Sequence, residues 1–470
     1  MVKLRLYFIF LLFFFLNACL PQGTIDRAVS EEEGEVILYL QPMPQEASRL
    51  RFSIDEIFAI RDDGLQIPLS LSIHELKGAD LAGLQKRLAS GFVPPGSYTG
   101  ISIKVKKAFL QGEEGESSLL IPEEPVAIEH PFRLMRKTAL TLFLSFKASE
   151  SIALDGIRFI PAFSLAPSRK GLINFTGFVS NSDSNSITVF DKKIMQVIGT
   201  ISTGRKPKGM ALDQRRGRAY VAAFGDDAVE VIDVLEGKII GRIALNFGDE
   251  PIDLALTPDG RTLVSVNYGS NTVSIIDAVS EFEVKKINVG ERPVSAVVDT
   301  LGFKAYVMNS LSNSLSVVDL TQNVISVSIG VEGAPLRGVF NRSGDRLYVI
   351  STDSPYLTVI DPSRLIVEEK LRIGTGAVSI KFDTRTGLVL VGKKVEEEIS
   401  VIAPFSLMLI DTIGIGGNAT FMTIDGEENG LFVTLPDRRA LWKVNLTSKR
   451  IMAEIEVGEG AYAVVVMGER

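Results

Sequence analysis

A short apolar segment that closes on a polar residue recurs along most of the chain, and its clearest copy is residues 229–233, Val-Glu-Val-Ile-Asp. The closing residues of the seven copies are Asp191, Asp233, Asp277, Asp319, Asp361, Ala403 and Asn445. Their spacings are therefore 42, 44, 42, 42, 42 and 42 residues. A fixed period of this size indicates one repeated supersecondary unit that buries its apolar face only by stacking on its neighbours.

Each repeat contains four short segments with the pattern of β-strands. In one repeat they are residues 251–257, 262–267, 273–277 and 284–289, with Pro-Asp-Gly at 258–260 as the first turn. Four strands in about 40–45 residues are typical of a propeller blade. Paired helices of similar period would need helical periodicity, which these segments do not show.

The number of blades follows from counting strand types. The innermost and the second type each occur seven times, but the first repeat starts without an innermost strand. The chain ends on an unattached one, at 461–466. We therefore predict an all-β chain with a seven-bladed propeller over residues 169–470, in which the C-terminal strand completes the first blade and removes the open edge.

Several segments of these repeats match a known family pattern. They are Ala-Tyr-Val-Ala at 219–222, Ala-Tyr-Val-Met-Asn at 305–309, Leu-Tyr-Val at 347–349, the Asn- and Ser-containing turns at 267–271 and 309–313, and the Val-Ile-Asp strands. The pattern resembles the YVTN-type propeller family of bacterial and archaeal surface proteins over residues 171–470. The resemblance implies the fold and does not indicate a ligand.

The region before the repeats, residues 35–168, also reads mainly as strands. Residues 101–106 alternate strictly between apolar and polar side chains, as a half-buried strand does. Further strands are expected at 35–41, 50–60, 139–146 and 156–163, and one helix over 73–88. We predict a β-sandwich of seven or eight strands. Its Pro-Gly-Ser-Tyr turn at 95–98, followed by the alternating strand, resembles the prealbumin-like modules of bacterial envelope proteins.

The first nineteen residues carry a positive start, Lys3 and Arg5, and an unbroken apolar run over 6–16. That run is too short for a stable membrane span and has the proportions of a secretory signal. It ends in Leu-Asn-Ala-Cys at 16–19, which resembles the bacterial lipoprotein signal. The resemblance implies removal of residues 1–18, lipidation of Cys19, and membrane attachment through the lipid, with residues 19–34 as a flexible tether. Leu20, where an aspartate would favour inner-membrane retention, points to the outer membrane, on its periplasmic or surface face. An uncleaved apolar anchor and a plain signal peptide with an inert cysteine remain alternatives.

Composition excludes several kinds of site. Cys19 is the sole cysteine, and the two histidines, His74 and His130, both lie outside the repeats. The repeats therefore cannot hold a histidine-ligated zinc or a covalently attached haem, and no disulfide framework is possible. The formal charge of −7 and the lack of a long Lys/Arg run disfavour a nucleic-acid partner. We expect no cofactor, no metal and no catalytic residue.

Three conspicuous motifs each have a structural and a functional interpretation. The recurring aspartate is predicted to cap the turn after the third strand, although a ring of carboxylates for metal or catalysis is the alternative. The Asn-Ser-Asp-Ser-Asn segment at 181–185 is predicted to be a hairpin turn, with a calcium loop as the alternative. Trp442 replaces a residue that is polar in the other blades. It is predicted to pack against a neighbouring blade, with a partner anchor as the alternative.

Ligands of propellers bind where turns converge at the axis. Two kinds of turn are expected at the same end of the ring: the turns between blades, and the turns between the second and third strands within a blade. The candidate ligand-binding residues there are Arg205, Lys206, Glu250, Asp253, Tyr268, Arg292, Arg337 and Asn418. This mixed polar set favours a non-catalytic envelope lipoprotein that binds a protein, peptide or glycan partner. A propeller hydrolase of the lactonase type and a surface structural or adhesion protein are the alternatives. Two or three converging carboxylates at the axis would favour hydrolysis.

Overall fold

The computed structural model describes residues 33–113, 115–152, 157–406 and 408–470. The N-terminal strands are β1 (Gly34–Leu40), β2 (Leu50–Arg61), β3 (Gln66–Leu71), β4 (Glu75–Lys77), β5 (Lys86–Val93), β6 (Gly96–Gln111), β7 (Glu116–Leu119), β8 (Val126–Leu134), β9 (Ala139–Phe146) and β10 (Phe163–Pro167). They form one sheet of order β10-β9-β1-β5-β3-β2-β6-β7, with β4 beside β2 and β8 beside β6. The β1–β9 pair is parallel, and its neighbours in the sheet pair antiparallel.

This sheet curls around one apolar core. Phe52 on β2 stacks on Phe146 of β9 with ring centroids 5.5 Å apart, although the two strands are four places apart in the sheet. Phe159 completes the aromatic cluster, 5.0 Å from Phe52. Both faces of the core are thus covered by the same sheet, as in the expected β-sandwich.

The helix expected over residues 73–88 is wrong, because the chain there forms β4, a series of turns and the start of β5. Apolar residues at 76, 81 and 88 are buried as the helical spacing suggested, but in the core of the sheet. Gly78 passes so close to Ala47 that any Cβ would overlap the Ala47 carbonyl, and Gly83 has a φ of +77°. These two glycines break the helical path.

The strand expected over 156–163 is also misplaced: residue 156 lies outside the described residues, residues 158 and 159 form only isolated bridges, and β10 begins at Phe163. Within the described residues the sheet has ten strands instead of seven or eight. The helical turns of the described chain are short. They are one α-helical turn, Ala148–Ser151, and four 3₁₀ turns at Gln45–Ala47, Ile173–Phe175, Phe224–Asp226 and Pro436–Arg438.

The repeats form seven four-stranded sheets, which we call blades 1 to 7. Blade 1 consists of β11 (Thr176–Asn181), β12 (Ser186–Asp191), β13 (Gln196–Ser202) and β38 (Ala461–Val466). Blade 2 consists of β14 (Pro207–Asp213), β15 (Arg218–Ala223), β16 (Ala228–Asp233) and β17 (Lys238–Ala244). Blade 3 consists of β18 (Pro251–Leu256), β19 (Thr262–Asn267), β20 (Thr272–Asp277) and β21 (Phe282–Asn288). Blade 4 consists of β22 (Pro293–Val298), β23 (Lys304–Asn309), β24 (Ser314–Asp319) and β25 (Val324–Gly330). Blade 5 consists of β26 (Pro335–Phe340), β27 (Leu347–Ser351), β28 (Tyr356–Asp361) and β29 (Ile366–Arg372). Blade 6 consists of β30 (Ala377–Asp383), β31 (Leu388–Lys393), β32 (Glu398–Ala403) and β33 (Met408–Gly414). Blade 7 consists of β34 (Phe421–Ile424), β35 (Gly430–Leu435), β36 (Ala440–Asn445) and β37 (Arg450–Glu456). The prediction of seven blades is confirmed.

The ring closes through the C-terminal strand, as predicted. Strand β38 pairs antiparallel with β11, matching Gly177 to Val466 and Phe178 to Val465. A buried ion pair reinforces this closure. Lys192 of blade 1 donates to Asp425 of blade 7 at 2.8 Å and to the carbonyl of Met467 at 2.6 Å. The Lys192 and Asp425 side chains are 1 % and 0 % exposed.

The recurring aspartates cap turns, as predicted. The Asp277 carboxylate accepts hydrogen bonds from the backbone N–H groups of Val279 and Ser280 at 2.8 and 2.9 Å. Asp191, Asp319 and Asp361 accept the same two bonds, and so does the amide oxygen of Asn445. These bonds lower the pKa of the Asp277 carboxyl below its usual value. The aspartate therefore serves the fold.

Trp442 packs inside the ring, as predicted. Its side chain is 6 % exposed and belongs to a core shared by blades 6 and 7. The indole N–H donates to Glu454 at 3.1 Å, and the Arg438 guanidinium lies 5.1 Å from the ring centre.

The N-terminal domain packs against blades 1 and 7. Ile37, Tyr39 and Phe143 share an apolar core with Phe190 and Val457 of the propeller. The Gln85 side chain exchanges hydrogen bonds of 3.1 and 2.7 Å with the backbone of Val197, also in blade 1. This junction fixes where the two domains leave a cleft.

Candidate binding site at the propeller axis

The turns between blades are held by the turns between second and third strands of the preceding blade. Asn185 accepts a hydrogen bond from the backbone N–H of Lys206 at 2.8 Å, and Asn271 accepts one from Arg292 at the same distance. The Asp227 carboxylate accepts the equivalent hydrogen bond from the backbone N–H of Glu250 at 2.7 Å. Both kinds of turn therefore share one end of the ring, as expected, and the Asn of the repeat has a structural role there.

The innermost strands bring Asp253 and Arg337 together at the axis. Asp253 stands on blade 3 and Arg337 on blade 5, and the shortest distance between carboxylate and guanidinium is 3.9 Å. Both line an axial cavity of about 230 Å³. Gly209 on blade 2 makes room for Asp253, because a Cβ at Gly209 would collide with the Asp253 backbone and carboxylate.

Aromatic rings flank the guanidinium of Arg337. It lies 4.8 Å from the ring centre of Phe421 in blade 7 and 5.8 Å from the ring centre of Tyr462 in blade 1. Such cation–π contacts are stronger in a partly desolvated site. Arg337 is 14 % exposed, so its position is fixed with part of its edge still accessible.

Burial changes the protonation of the axial groups. Desolvation raises the pKa of Asp253 to about 6, against the opposing effects of Arg337 and of hydrogen bonds from the backbone of Leu254 and Ala296. Desolvation also raises the pKa of Tyr462. The pKa of Lys208 is lowered, first by burial and then by the nearby charge of Lys206. A perturbed carboxyl in a cavity is a frequent property of binding sites.

A continuous series of cations and aromatic rings connects the axis to the rim. The Lys208 ammonium lies 4.0 Å from the ring centre of Phe224 and 5.6 Å from that of Tyr462. Phe224 and Tyr268 have ring centres 6.2 Å apart. Arg292 then donates to the Tyr268 hydroxyl at 3.0 Å. We call this series the cation–aromatic track; its members are Arg292, Tyr268, Phe224, Lys208, Tyr462 and Arg337.

Of the candidate residues, Asp253 and Arg337 form the axial pair, while Tyr268 and Arg292 form the outer end of the track. Lys206 is exposed and Glu250 half-buried in turns between blades. Arg205 does not line the axial cavity and forms an ion pair with Asp226 at 2.6 Å. Asn418 is half-buried in the turn before blade 7, and its Oδ1 is buried without a hydrogen-bond partner.

Sequence reasoning missed Lys208, Phe224, Phe421 and Tyr462. Three of them lie at the start of an innermost strand: Lys208 and Tyr462 are the second residues of β14 and β38, and Phe421 is the first residue of β34. In the repeat pattern the corresponding residue pairs are Lys208-Gly209, Ile252-Asp253, Val294-Ser295, Leu336-Arg337, Val378-Ser379, Thr420-Phe421 and Tyr462-Ala463. Aligning the seven strands at these positions shows the charged and aromatic exceptions and could have identified three of the four.

The axial residues combine a guanidinium, a carboxylate and aromatic rings. Within the described ranges, no three histidine, cysteine, aspartate or glutamate side chains come together closely enough to hold a metal ion. The carboxylate of Asp253 instead faces a guanidinium. The track offers positive charge and flat apolar faces side by side, which can hold an acidic, planar or peptide-like group. The histidines do not take part, since His74 is exposed and His130 half-exposed on the N-terminal domain.

No helix of the described chain has the length and apolar character needed to cross a membrane.

Comparison with known proteins identifies a fold family. A family model described as "YNCE-like beta-propeller" matches residues 178–469. No curated protein matches the chain.

Three similar solved structures have low sequence identity. A functionally unknown protein from Desulfotomaculum acetoxidans DSM 771 is 14% identical, with a TM-score of 0.56 over 62% of this chain and 98% of that chain. Dihydro-heme d1 dehydrogenase NirN in complex with DHE is 13% identical, with a TM-score of 0.51 over 64% and 77%. Kuenenia stuttgartiensis hydrazine synthase is 18% identical, with a TM-score of 0.49 over 55% and 88%. At these identities the first two are evidence for the fold alone.

Proposed function

Since the chain belongs to the YNCE-like beta-propeller family through residues 178–469, we propose that it is a non-catalytic binding protein of the cell envelope. Its propeller binds a protein, peptide or glycan partner at the axial end that carries the cation–aromatic track. The observation that carries this proposal is the track itself, which joins Arg292 at the rim to Arg337 at the axis through three aromatic rings and the Lys208 ammonium.

Burial and exposure along the track support a binding role. Arg337 is held between two rings and beside one carboxylate, so binding an acidic group there costs little side-chain entropy. Arg292 is exposed and reaches a partner first, while Phe224 and Tyr268 are half-buried. Aromatic and arginine side chains are the residue types that most often dominate binding energy.

The test is capture of partners from membranes with the purified chain. The Arg337→Ala and Arg292→Ala variants should lose the captured species, because each removes a cation of the track. Arg346→Ala is the matched control, since Arg346 lies at the opposite end of blade 5 and pairs with Glu368 at 2.6 Å. Equal capture by the track variants and the control would contradict the proposal.

A second candidate ligand, single-stranded nucleic acid, is favoured by the composition of the track alone. Stacked bases and phosphates bind surfaces that alternate aromatic and cationic side chains. The net charge of −7 opposes it. Titration with an oligothymidylate separates the two ligands: binding that weakens steeply with salt and is lost in Phe224→Ala favours nucleic acid.

The alternatives that remain are hydrolysis and adhesion. Hydrolysis of the lactonase type needs carboxylates that hold a metal, and at the axis Asp253 instead neighbours Arg337. Lactone turnover that is lost in Asp253→Asn would support the enzyme. Adhesion between copies predicts self-association, which sedimentation measures directly.

We also propose that the protein is anchored in the outer membrane by a lipid on Cys19, which lies outside the described residues. The support is the sequence at 16–19 and the position of Leu20. Palmitate labelling of the chain should be lost in Cys19→Ser, and the variant should leave the membrane fraction. Labelling that persists in the variant would overturn the anchor.

A further inference from the structure

A large cavity lies between the two domains, away from the axis. It measures about 620 Å³, within the range of small-molecule sites. The N-terminal domain contributes Glu35 and Lys137 to its wall, and blade 2 contributes Arg205, Asp226, Glu230 and Arg242. We call this cavity the interdomain cleft.

Blade 2 differs from the other blades where it lines the interdomain cleft. At the Glu230 position the other blades carry Thr188, Ser274, Ser316, Thr358, Ser400 and Trp442. At the Asp226 position blades 1, 3, 4 and 5 carry Ser184, Ser270, Ser312 and Ser354. Only blade 2 has a carboxylate at the first of these positions. The propeller fold therefore does not require a charge there.

The usual neutral network is also missing from blade 2. In blades 1 and 3, an asparagine at the end of the second strand donates to the hydroxyl on the third strand: Asn181 to Thr188 at 2.9 Å and Asn267 to Ser274 at 2.8 Å. Blade 2 has Ala223 in place of the asparagine. The Glu230 carboxylate accepts instead from Gly204 N–H at 3.0 Å and from Arg242 at 3.1 Å.

Charges in the interdomain cleft are arranged by depth. Among the acids, Glu230 is 4 % exposed, and the Glu35 and Asp226 side chains are 14 % and 20 % exposed. Among the cations, the Arg242 and Arg205 side chains are 44 % and 74 % exposed. The acids thus lie deeper than the two arginines, which pair with them: Arg205 with Asp226 at 2.6 Å and Arg242 with Glu230 at 3.1 Å.

The buried carboxylates are costly to keep ionised. Desolvation raises the pKa of Glu230 and of Glu35, against the opposing effects of Arg242 on Glu230 and of Arg87, 3.3 Å from Glu35. A cation placed between these carboxylates would stabilise their charged forms. An anion would find Arg205 and Arg242 near the opening.

We propose that the interdomain cleft binds a small zwitterionic ligand of the size of a dipeptide. Its ammonium group lies inward against Glu230 and Glu35, and its carboxylate lies outward on Arg205. The volume exceeds that needed by one amino acid, and the two charged layers set the direction of entry. This ligand is distinct from the partner at the axis, and neither proposal depends on the other.

The test is calorimetric titration of the full chain in detergent with dialanine, N-acetyl-dialanine and dialanine amide. Dialanine should bind, and acetylation should weaken binding by about tenfold or more, because it removes the charge that meets the buried carboxylates. Failure of dialanine to bind at millimolar concentration would overturn the proposal. Equal binding of the acetylated peptide would do the same.

Variants locate the site. Glu230→Thr installs the residue that blades 1 and 5 carry at this position, so the blade should still fold, and dialanine should bind about tenfold more weakly. Glu281→Gln is the control, because Glu281 pairs with Arg218 at 3.0 Å at the opposite end of the ring. Unchanged affinity in Glu230→Thr would refute the site.

A second variant tests the direction of the ligand independently of the buried carboxylate. Arg205→Ala removes a side chain that is 74 % exposed, so its effect on folding is small. The variant should weaken the binding of dialanine and leave the binding of dialanine amide unchanged, since the amide has no carboxylate. Equal weakening of both ligands would show that the orientation is wrong.

Discussion

The ion pair at the ring closure makes a sharp prediction about stability. Lys192 extends from the turn after β12 into the space between blades 1 and 7, where Asp425 and the Met467 carbonyl accept its protons at 2.8 and 2.6 Å. The Glu427 carboxylate, 58 % exposed, is 3.7 Å away. The pair therefore joins the N-terminal blade, the C-terminal blade and the segment after β38 at one point.

We expect Lys192→Met to lower the free energy of unfolding by about 3–5 kcal/mol, because it leaves a fully buried carboxylate without its cation. Met467 loses a hydrogen bond at the same time. An exposed pair gives the scale for comparison: Lys370 and Glu332 lie 2.9 Å apart with side chains 41 % and 86 % exposed. Lys370→Met should change the free energy by less than about 1 kcal/mol.

Urea unfolding followed by tryptophan fluorescence measures the effect. Trp442 is the sole tryptophan of the chain and is buried between blades 6 and 7, in the blade that also carries Asp425. Unfolding of the N-terminal domain alone does not expose it, so the signal reports the ring. Both variants should show the wild-type slope with urea, which isolates a change in stability from a change in exposed surface.

The double variant Lys192→Met with Asp425→Leu tests the reasoning. It removes both charges together, so it should recover most of the loss, since a buried apolar pair is often as stable as a buried ion pair. A loss of less than about 1 kcal/mol in Lys192→Met would refute the argument. So would a double variant that is less stable than the single one.

Three further predictions concern other parts of the ring. Removal of residues 461–470 leaves β11 without its partner and opens the ring, so we expect Trp442 emission to shift toward that of exposed tryptophan. An unchanged melting temperature of the truncated chain would contradict closure. Desolvation raises the pKa of Asp253 to about 6 in the fold, above the ordinary value of about 3.9 for an aspartate in an unfolded chain, so the native state binds more protons and loses stability as pH rises from about 4 to about 6. Asp253→Asn should remove up to about 3 kcal/mol of this pH dependence, and parallel stability–pH curves would argue against it. Asp277→Ala should lower the free energy of unfolding in urea by about 1 kcal/mol, and Asp277→Asn should lower it much less, because Asn445 accepts the same two bonds in blade 7. Equal losses of stability in the two variants would show that the cap does not matter.

The propeller could be predicted because its period is a property of the sequence itself. The third-strand aspartate recurs because each blade needs the same turn, and the unattached strand at 461–466 follows from counting. Asn185 and Asn271 were visible as turn residues, but their hydrogen bonds to the next blade depend on how blades stack.

The N-terminal sheet was less predictable, since its order joins strands that are distant in sequence. Nothing in the pattern of residues 34–40 indicates a parallel partner at 139–146. Apolar residues at 76, 81 and 88 fit a helix and a turn-rich edge equally well, and only the close approach of Gly78 to Ala47 decides between them.

The candidate site was predicted in part. Asp253 and Arg337 were recognised from the convergence of turns at the axis, but Phe421 and Tyr462 were interpreted only as strand residues. Arg205 was assigned to the axis and lies in the interdomain cleft. The orientation of one domain on another has no periodic signal in the sequence, so the cleft became visible only with the structure.

The way the ring closes has a consequence for how the protein is made. Ala463 donates to the Ser180 hydroxyl oxygen at 3.1 Å, 283 residues earlier in the chain. Blade 1 must therefore wait, with the inner edge of β11 unpaired, until nearly the whole propeller has been synthesised. Contacts of such long sequence separation form late and slowly. A prematurely ended chain consequently exposes an open strand edge that quality control can recognise.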